Sequence, residues 1–146
     1  NSIHFVVAHN GVLENTKELI EGYMGDHDNP VDSSIIPILM SYMLEFNEEF
    51  YESGDPDVSP EVMAIQSTCN LLKGTFACWI YSKLTGNSYL VRSGSTLYGN
   101  VLTGDFSSTK HDTMCEQELQ EGVIYCVTEE GLANCGKFKS NSPFFL

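Results

Sequence analysis

The hydrophobic positions change period twice along the chain. Ile3 to Ala8 (IHFVVA) is a short, β-branched apolar run that reads as a buried strand and ends at His9-Asn10-Gly11. From Asn15 the period turns helical. Asn15 stands as an N-cap, Glu18 three residues on completes a capping box, and Leu19, Ile20, Tyr23 and Met24 share one face before Gly25 stops the helix. Gly25-Asp26-His27-Asp28-Asn29-Pro30 is loop. Asp32 or Ser33 caps a second helix, whose Ile35, Ile36, Leu39, Met40, Met43 and Leu44 form a wide apolar face, with Pro37 placed near the first turn. Asn47 to Pro60 is the most polar stretch and reads as an exposed loop. Ser59-Pro60-Glu61 then opens a third helix, carrying Val62, Ile65, Cys69 and Leu72 at helical spacing.

After Gly74 the period is that of strand. Thr75 to Ser82 and Ser88 to Arg92 flank Lys83-Leu84-Thr85-Gly86-Asn87 and predict a hairpin. Short β segments follow at Thr96-Leu97-Tyr98 and Asn100 to Thr103, and the polar residues 107–120 are compatible with a short helix. Gly122 to Thr128 reads as a strand, Glu129-Glu130-Gly131 as a turn, and Leu132 to Phe138 as a partner strand. One strand, three helices and an antiparallel set make an α+β domain, single over residues 1–146, with no internal repeat.

Composition narrows the partners. Of 146 residues, 20 are acidic and 7 basic, a formal net charge of −13, which disfavours general nucleic-acid binding and docking on anionic lipid. No apolar run approaches the roughly 20 residues of a membrane span. Cys69, Cys78, Cys115, Cys126 and Cys135 are odd in number and irregularly spaced, without a C-x-x-C pair. They read as buried thiols of a reducing compartment, so a cytoplasmic location is expected, and no cofactor is.

His9-Asn10-Gly11 carries the candidate chemistry. Asn-Gly between strands is a hairpin turn, but Val12-Leu13-Glu14-Asn15 and a helix follow here in place of a returning strand. The other reading is a strand end at which Gly11 admits a substrate to the backbone and donates its N–H, while Asn10 donates its side-chain amide. Two such donors make an oxyanion hole for acyl transfer. Other constellations are thinner. Asp26-x-Asp28 with Asp32 lacks the glycine and final glutamate of a calcium loop. His4, His9, His27 and His111 have no zinc-ligand spacing, so no metal is expected. Neither a G-x-S-x-G elbow nor a Gly-rich phosphate loop occurs. Glu48, Glu49, Glu52, Asp55 and Asp57 read as a solvated acidic loop.

The block His9-Asn10-Gly11-Val12-Leu13-Glu14-Asn15 with Lys17-Glu18-Leu19 resembles the H-N-G-x-x-E-N block of class II (N-terminal nucleophile) glutamine amidotransferases. It is most similar to the glutaminase domain of the glucosamine-6-phosphate synthases. Four further blocks match in order. Val31-Asp32-Ser33-Ser34-Ile35-Ile36 resembles T-D-T-E-V-I, and Leu72-Lys73-Gly74-Thr75-Phe76-Ala77 resembles L-x-G-x-[YF]-A. Val91-Arg92-Ser93-Gly94-Ser95-Thr96-Leu97 resembles A-R-S-G-S-P-L, and Glu121-Gly122-Val123-Ile124 resembles E-G-D-I.

The resemblance implies a four-layer αββα sandwich and hydrolysis of L-glutamine to glutamate and ammonia for transfer to an acceptor. By it, Asn10 and Gly11 form the oxyanion hole, Asp32 binds the substrate α-amino group (read from the residues alone it is a plain N-cap), His9 orients the loop beside the substrate, and Arg92 is structural. The family nucleophile is an N-terminal cysteine, whereas the first residue here is Asn1. The expectation is an incomplete sandwich lacking its N-terminal segment, partnered by that segment or by a synthase or acceptor domain. The alternative is an inactive remnant of the same fold that binds a ligand or a protein.

Overall fold

The computed structural model describes residues 4–24, 32–50, 59–107 and 117–139, with side chains before Ile35 and after Phe46 of the second helix left aside, as are those of residues 23–24. Strand β1 (Phe5–Asn10) leads into a short helix α1 (Thr16–Leu19) that widens into one π turn, Ile20–Met24. Helices α2 (Asp32–Phe50) and α3 (Pro60–Leu71) follow. Strands β2 (Phe76–Ser82) and β3 (Ser88–Ser93) come next, then three two-residue strands, β4 (Tyr98–Gly99), β5 (Phe106–Ser107) and β6 (Gln117–Glu118). The hairpin β7 (Val123–Thr128) and β8 (Gly131–Lys137) completes the order.

Five strands form one antiparallel sheet in the order β1-β2-β3-β7-β8, and β5-β4-β6 form a second, small one. Pleat alternation divides the large sheet into two faces. Phe5, Phe76, Cys78, Ile80, Tyr89, Val91 and Ile124 pack against Ile35, Ile36, Leu39, Met40 and Ile65 of the helices. Ala77, Leu90 and Trp79 on the other face meet Leu97, Leu119 and Leu132 under the small sheet. Strands β2 and β3 are therefore covered on both faces, which is why TFACWIYS reads as a nearly continuous apolar run. Strand β1 is an edge strand and differs: Val6, Ala8 and Asn10 on its outer face are exposed.

Helix α3 starts as its sequence predicts. Ser59 accepts the Val62 N–H at 3.1 Å and Pro60 opens the first turn, where its missing N–H costs nothing. Buried Glu61 follows, and both its carboxylate oxygens lie within 3.0 Å of the Thr85 hydroxyl, tying α3 to the β2–β3 turn.

Several boundaries differ from the sequence reading, each for a physical reason. Asn15 does not cap α1 with its side chain. Its amide is buried and spans the end of α3 instead, donating to the Leu71 carbonyl at 2.7 Å and accepting the Lys73 N–H at 3.0 Å. A side chain that is both donor and acceptor satisfies two backbone groups left over where the helix stops. Pro37 lies beyond the first turn of α2, and the Ser41 hydroxyl donates to its carbonyl. The same hydroxyl accepts the His4 N–H, so the serine side chain joins α2 to the start of β1. Helix α2 continues through Asn47 to Phe50, where Glu48 and Glu49 have good helix propensity and no Gly or Pro intervenes. Val101 to Thr103 form a turn, with Asn100 Oδ1 accepting the Leu102 and Thr103 N–H groups. Gln117–Glu118 pair with β4 where a helix was compatible, and residues 108–116 lie outside the described residues, as do Gly25–Pro30.

Replacing Asn15 by Ala strands a carbonyl and an N–H inside the fold at once. Urea unfolding followed by circular dichroism is expected to show a loss of about 1–3 kcal/mol with an unchanged denaturant slope.

Candidate functional site

The strand end at Asn10-Gly11 is built by a loop lying on a loop. Strand β1 runs antiparallel to β2, with Asn10 opposite Ala77, so the segment leaving β1 passes the segment entering β2. A seam of backbone hydrogen bonds joins them: Thr75 N–H to Val12 carbonyl at 2.8 Å, and Glu14 N–H to Lys73 carbonyl at 2.8 Å. Leu13 and Gly74 form an isolated bridge between the two. The Val12 N–H donates to the Thr75 hydroxyl at 3.0 Å.

Gly11 is required here. Its φ is +131°, and a Cβ at that position would stand 2.3 Å from the Thr75 carbonyl oxygen and 2.7 Å from the Ser95 hydroxyl. Conformation and space both exclude a side chain. Asn10 and Gly11 are exposed, and Asn10 borders a cleft. The cleft holds about 260 Å³, and its wall is mostly apolar: Ala8, Ala77, Trp79, Leu97 and Phe106, with Ser107. An apolar wall with a few convergent polar groups at one end suits a small amphiphilic ligand.

The third side of the site is the turn after β3. Arg92 donates from Nε to the Leu119 carbonyl at 2.6 Å and from Nη1 to the Ser95 carbonyl at 2.9 Å. Its Nη2 pairs with Glu118 at 2.8 Å. Gly94 donates its N–H to Glu121. Every contact of the guanidinium named here is spent on holding Ser93-Gly94-Ser95 and the β6 segment, as a structural arginine would.

The expected site residues separate into three groups. Asn10 lines the cleft, and exposed Gly11 follows it in the chain. His9 belongs to the opposite parity of β1, shared with buried Phe5 and with Val7, so its half-buried ring faces the helices. Asp32 is the first residue of α2, and its side chain lies outside the described residues. The sequence reading passed over Thr75, Ser95, Trp79 and Phe106. Thr75 and Ser95 sit inside the matched L-K-G-T-F-A and R-S-G-S blocks, whereas nothing in the sequence flags Phe106.

Cysteine 78 borders the cleft through its strand, but its thiol lies on the helix face and is buried, which pushes its pKa up to about 12. Burial also raises the thiols of Cys69, Cys126 and Cys135, the last to about 11. The described cysteines are thus poor nucleophiles at neutral pH.

Comparison with solved structures places the fold. The chain is similar to the glutamine phosphoribosylpyrophosphate amidotransferase from B. subtilis complexed with ADP and GMP: TM-score 0.65, 16% identity, covering 94% of this chain and 30% of that one. A second structure, described as the allosteric regulatory enzyme of purine biosynthesis, gives the same TM-score and identity, covering 94% and 29%. A glutamine aminotransferase class-II domain protein from Silicibacter pomeroyi matches with TM-score 0.51 and 14% identity, over 94% of this chain and 70% of that one. The chain spans under a third of the length of the first two. No protein-family model matches the sequence, and no curated protein does.

The chain therefore has a class II glutamine amidotransferase-like fold, mixed α/β with antiparallel sheets, as the sequence blocks imply. Among the described residues, the helices pack on one face of the large sheet, and Leu97, Leu119 and Leu132 pack on the other.

Two outcomes test the site's construction. Gly11→Ala is expected to lose about 2 kcal/mol or more in urea unfolding, since strain and overpacking add. Gly22→Ala, with open space around it, is expected to be neutral or slightly stabilising. For Cys78, a pKa near 12 leaves only about one thiolate in ten thousand at pH 8. Iodoacetamide at that pH is expected to modify Cys78 in urea and spare it in the folded protein, as read by peptide mass.

Proposed function

We propose that this chain is the glutaminase portion of a class II glutamine amidotransferase, hydrolysing L-glutamine to glutamate and ammonia that passes to an acceptor. The observation that carries the reading is the strand end Asn10-Gly11. An exposed asparagine lines an apolar cleft and a glycine at positive φ directly follows it, inside a fold shared with known amidotransferases.

In this reading the amide carbonyl of glutamine lies against the Gly11 N–H and the Asn10 side-chain amide. Attack by a thiolate turns that carbonyl oxygen into an oxyanion, and both donors strengthen their bonds to it as the charge develops. The leaving nitrogen takes a proton and departs as ammonia, and water then releases glutamate from the thioester. The methylenes of the substrate run along the apolar wall. Asp32, at the start of α2, binds the α-amino group, and His9 supports the strand end from the helix side. In this reading the attacking thiolate is an N-terminal cysteine, as the resembled family uses, in place of the described thiols that burial raises, and a synthase or acceptor domain consumes the ammonia. No described helix is long and apolar enough to cross a membrane.

Glutamate release from L-glutamine, measured on the polypeptide as its native source makes it, decides the reading. Residues 1–146 alone are expected to give no turnover. The native polypeptide is expected to turn over, and Asn10→Ala is expected to lower kcat by about 10²–10³, or roughly 2.7–4 kcal/mol in barrier. A native polypeptide without turnover would assign the fold to an inactive, ligand- or protein-binding module instead.

A further inference from the structure

The loop that presents the oxyanion donors has a single residue holding its backbone at both the N–H and the carbonyl of one position. Thr75 donates its N–H to the Val12 carbonyl at 2.8 Å, accepts the Val12 N–H on its hydroxyl at 3.0 Å, and presses its carbonyl oxygen against the Cα of Gly11. The peptide after Gly11 is thereby fixed at its N–H and the next one at its carbonyl. Gly11 itself is free of Cβ restraint at φ +131°, the least self-restrained residue of the segment. Its N–H direction consequently depends on what holds its neighbours. Val12 cannot do so by packing, because its side chain is 67% exposed.

We propose that Thr75 is a positioning residue for the glutaminase reaction: its hydroxyl holds Val12 so that the Gly11 N–H points at the site of the developing oxyanion. The inference rests on the functional reading above and deepens it. Thr75 touches no reacting atom. Its effect falls on the transition state, where the direction of a donor matters most, and little on ground-state binding of glutamine.

Two substitutions separate this role from general support of the fold. Thr75→Val keeps the β-branched shape and the backbone bond to the Val12 carbonyl but removes the hydroxyl acceptor, whereas Thr75→Ser keeps the acceptor. In the native polypeptide, Thr75→Val is expected to lower kcat for glutamine by about 10- to 100-fold with KM changed less than about twofold, and Thr75→Ser to restore most of it. Amide hydrogen exchange at Val12 is expected to quicken in Thr75→Val and return in Thr75→Ser. Unchanged kcat or unchanged Val12 exchange in Thr75→Val, in a protein that Asn10→Ala does impair, overturns the inference alone. Absence of turnover in the unsubstituted polypeptide, or indifference to Asn10→Ala, overturns the functional reading and the inference with it.

Discussion

The seam between residues 11–15 and 71–75 is the constraint on which the rest of the structure depends. At its far end the Asn15 amide satisfies the carbonyl of Leu71 and the N–H of Lys73, so helix α3 can stop and the chain can turn into β2. At its near end Thr75 brackets Val12 and abuts Gly11. The same few hydrogen bonds therefore set the crossing of β1 and β2, the close of a helix, and the geometry of the exposed strand end. Buried amides without partners are costly, which leaves this arrangement little latitude.

Charge is used sparingly around the strand end despite the acidic composition. Arg92 is one of only 7 basic residues, and it bonds to Leu119, Ser95 and Glu118 at the base of the turn that abuts Gly11. A bidentate, planar group suits that task better than lysine, since it reaches three oxygens while staying largely shielded from water. The cleft wall beside exposed Asn10 is left mostly to apolar side chains, Ala8, Ala77, Trp79, Leu97 and Phe106.

Much of this was legible in the sequence because it depended on period and on turn chemistry. The three helices, the β2–β3 and β7–β8 hairpins and the Ser59 cap all follow from patterns within one element. What was not legible depended on partners distant in sequence. Asn15 satisfies every local rule for an N-cap, yet groups 56 and 58 residues away compete for its amide and win. The site divided in the same way. Asn10 and Gly11 stood out by motif, and the contacts of Thr75 with Val12 and Gly11 became visible only when β1 and β2 were aligned. The cleft wall contributed by Phe106 belongs to a two-residue strand too short to leave a pattern.

The pairing of Asn10 with Ala77 carries a consequence for the way the molecule acquires its site. These partners are 67 positions apart, and all three helices lie in the span between them. Closing so long a stretch contributes nothing until the sheet edge forms, so β1 adds a large non-local term to the contact order of the chain. Neither the β2–β3 hairpin nor β1 with its own loop contains the strand end and its clamp together. The site is accordingly a property of the completed topology, and its appearance during folding marks the arrival of β1 at its place.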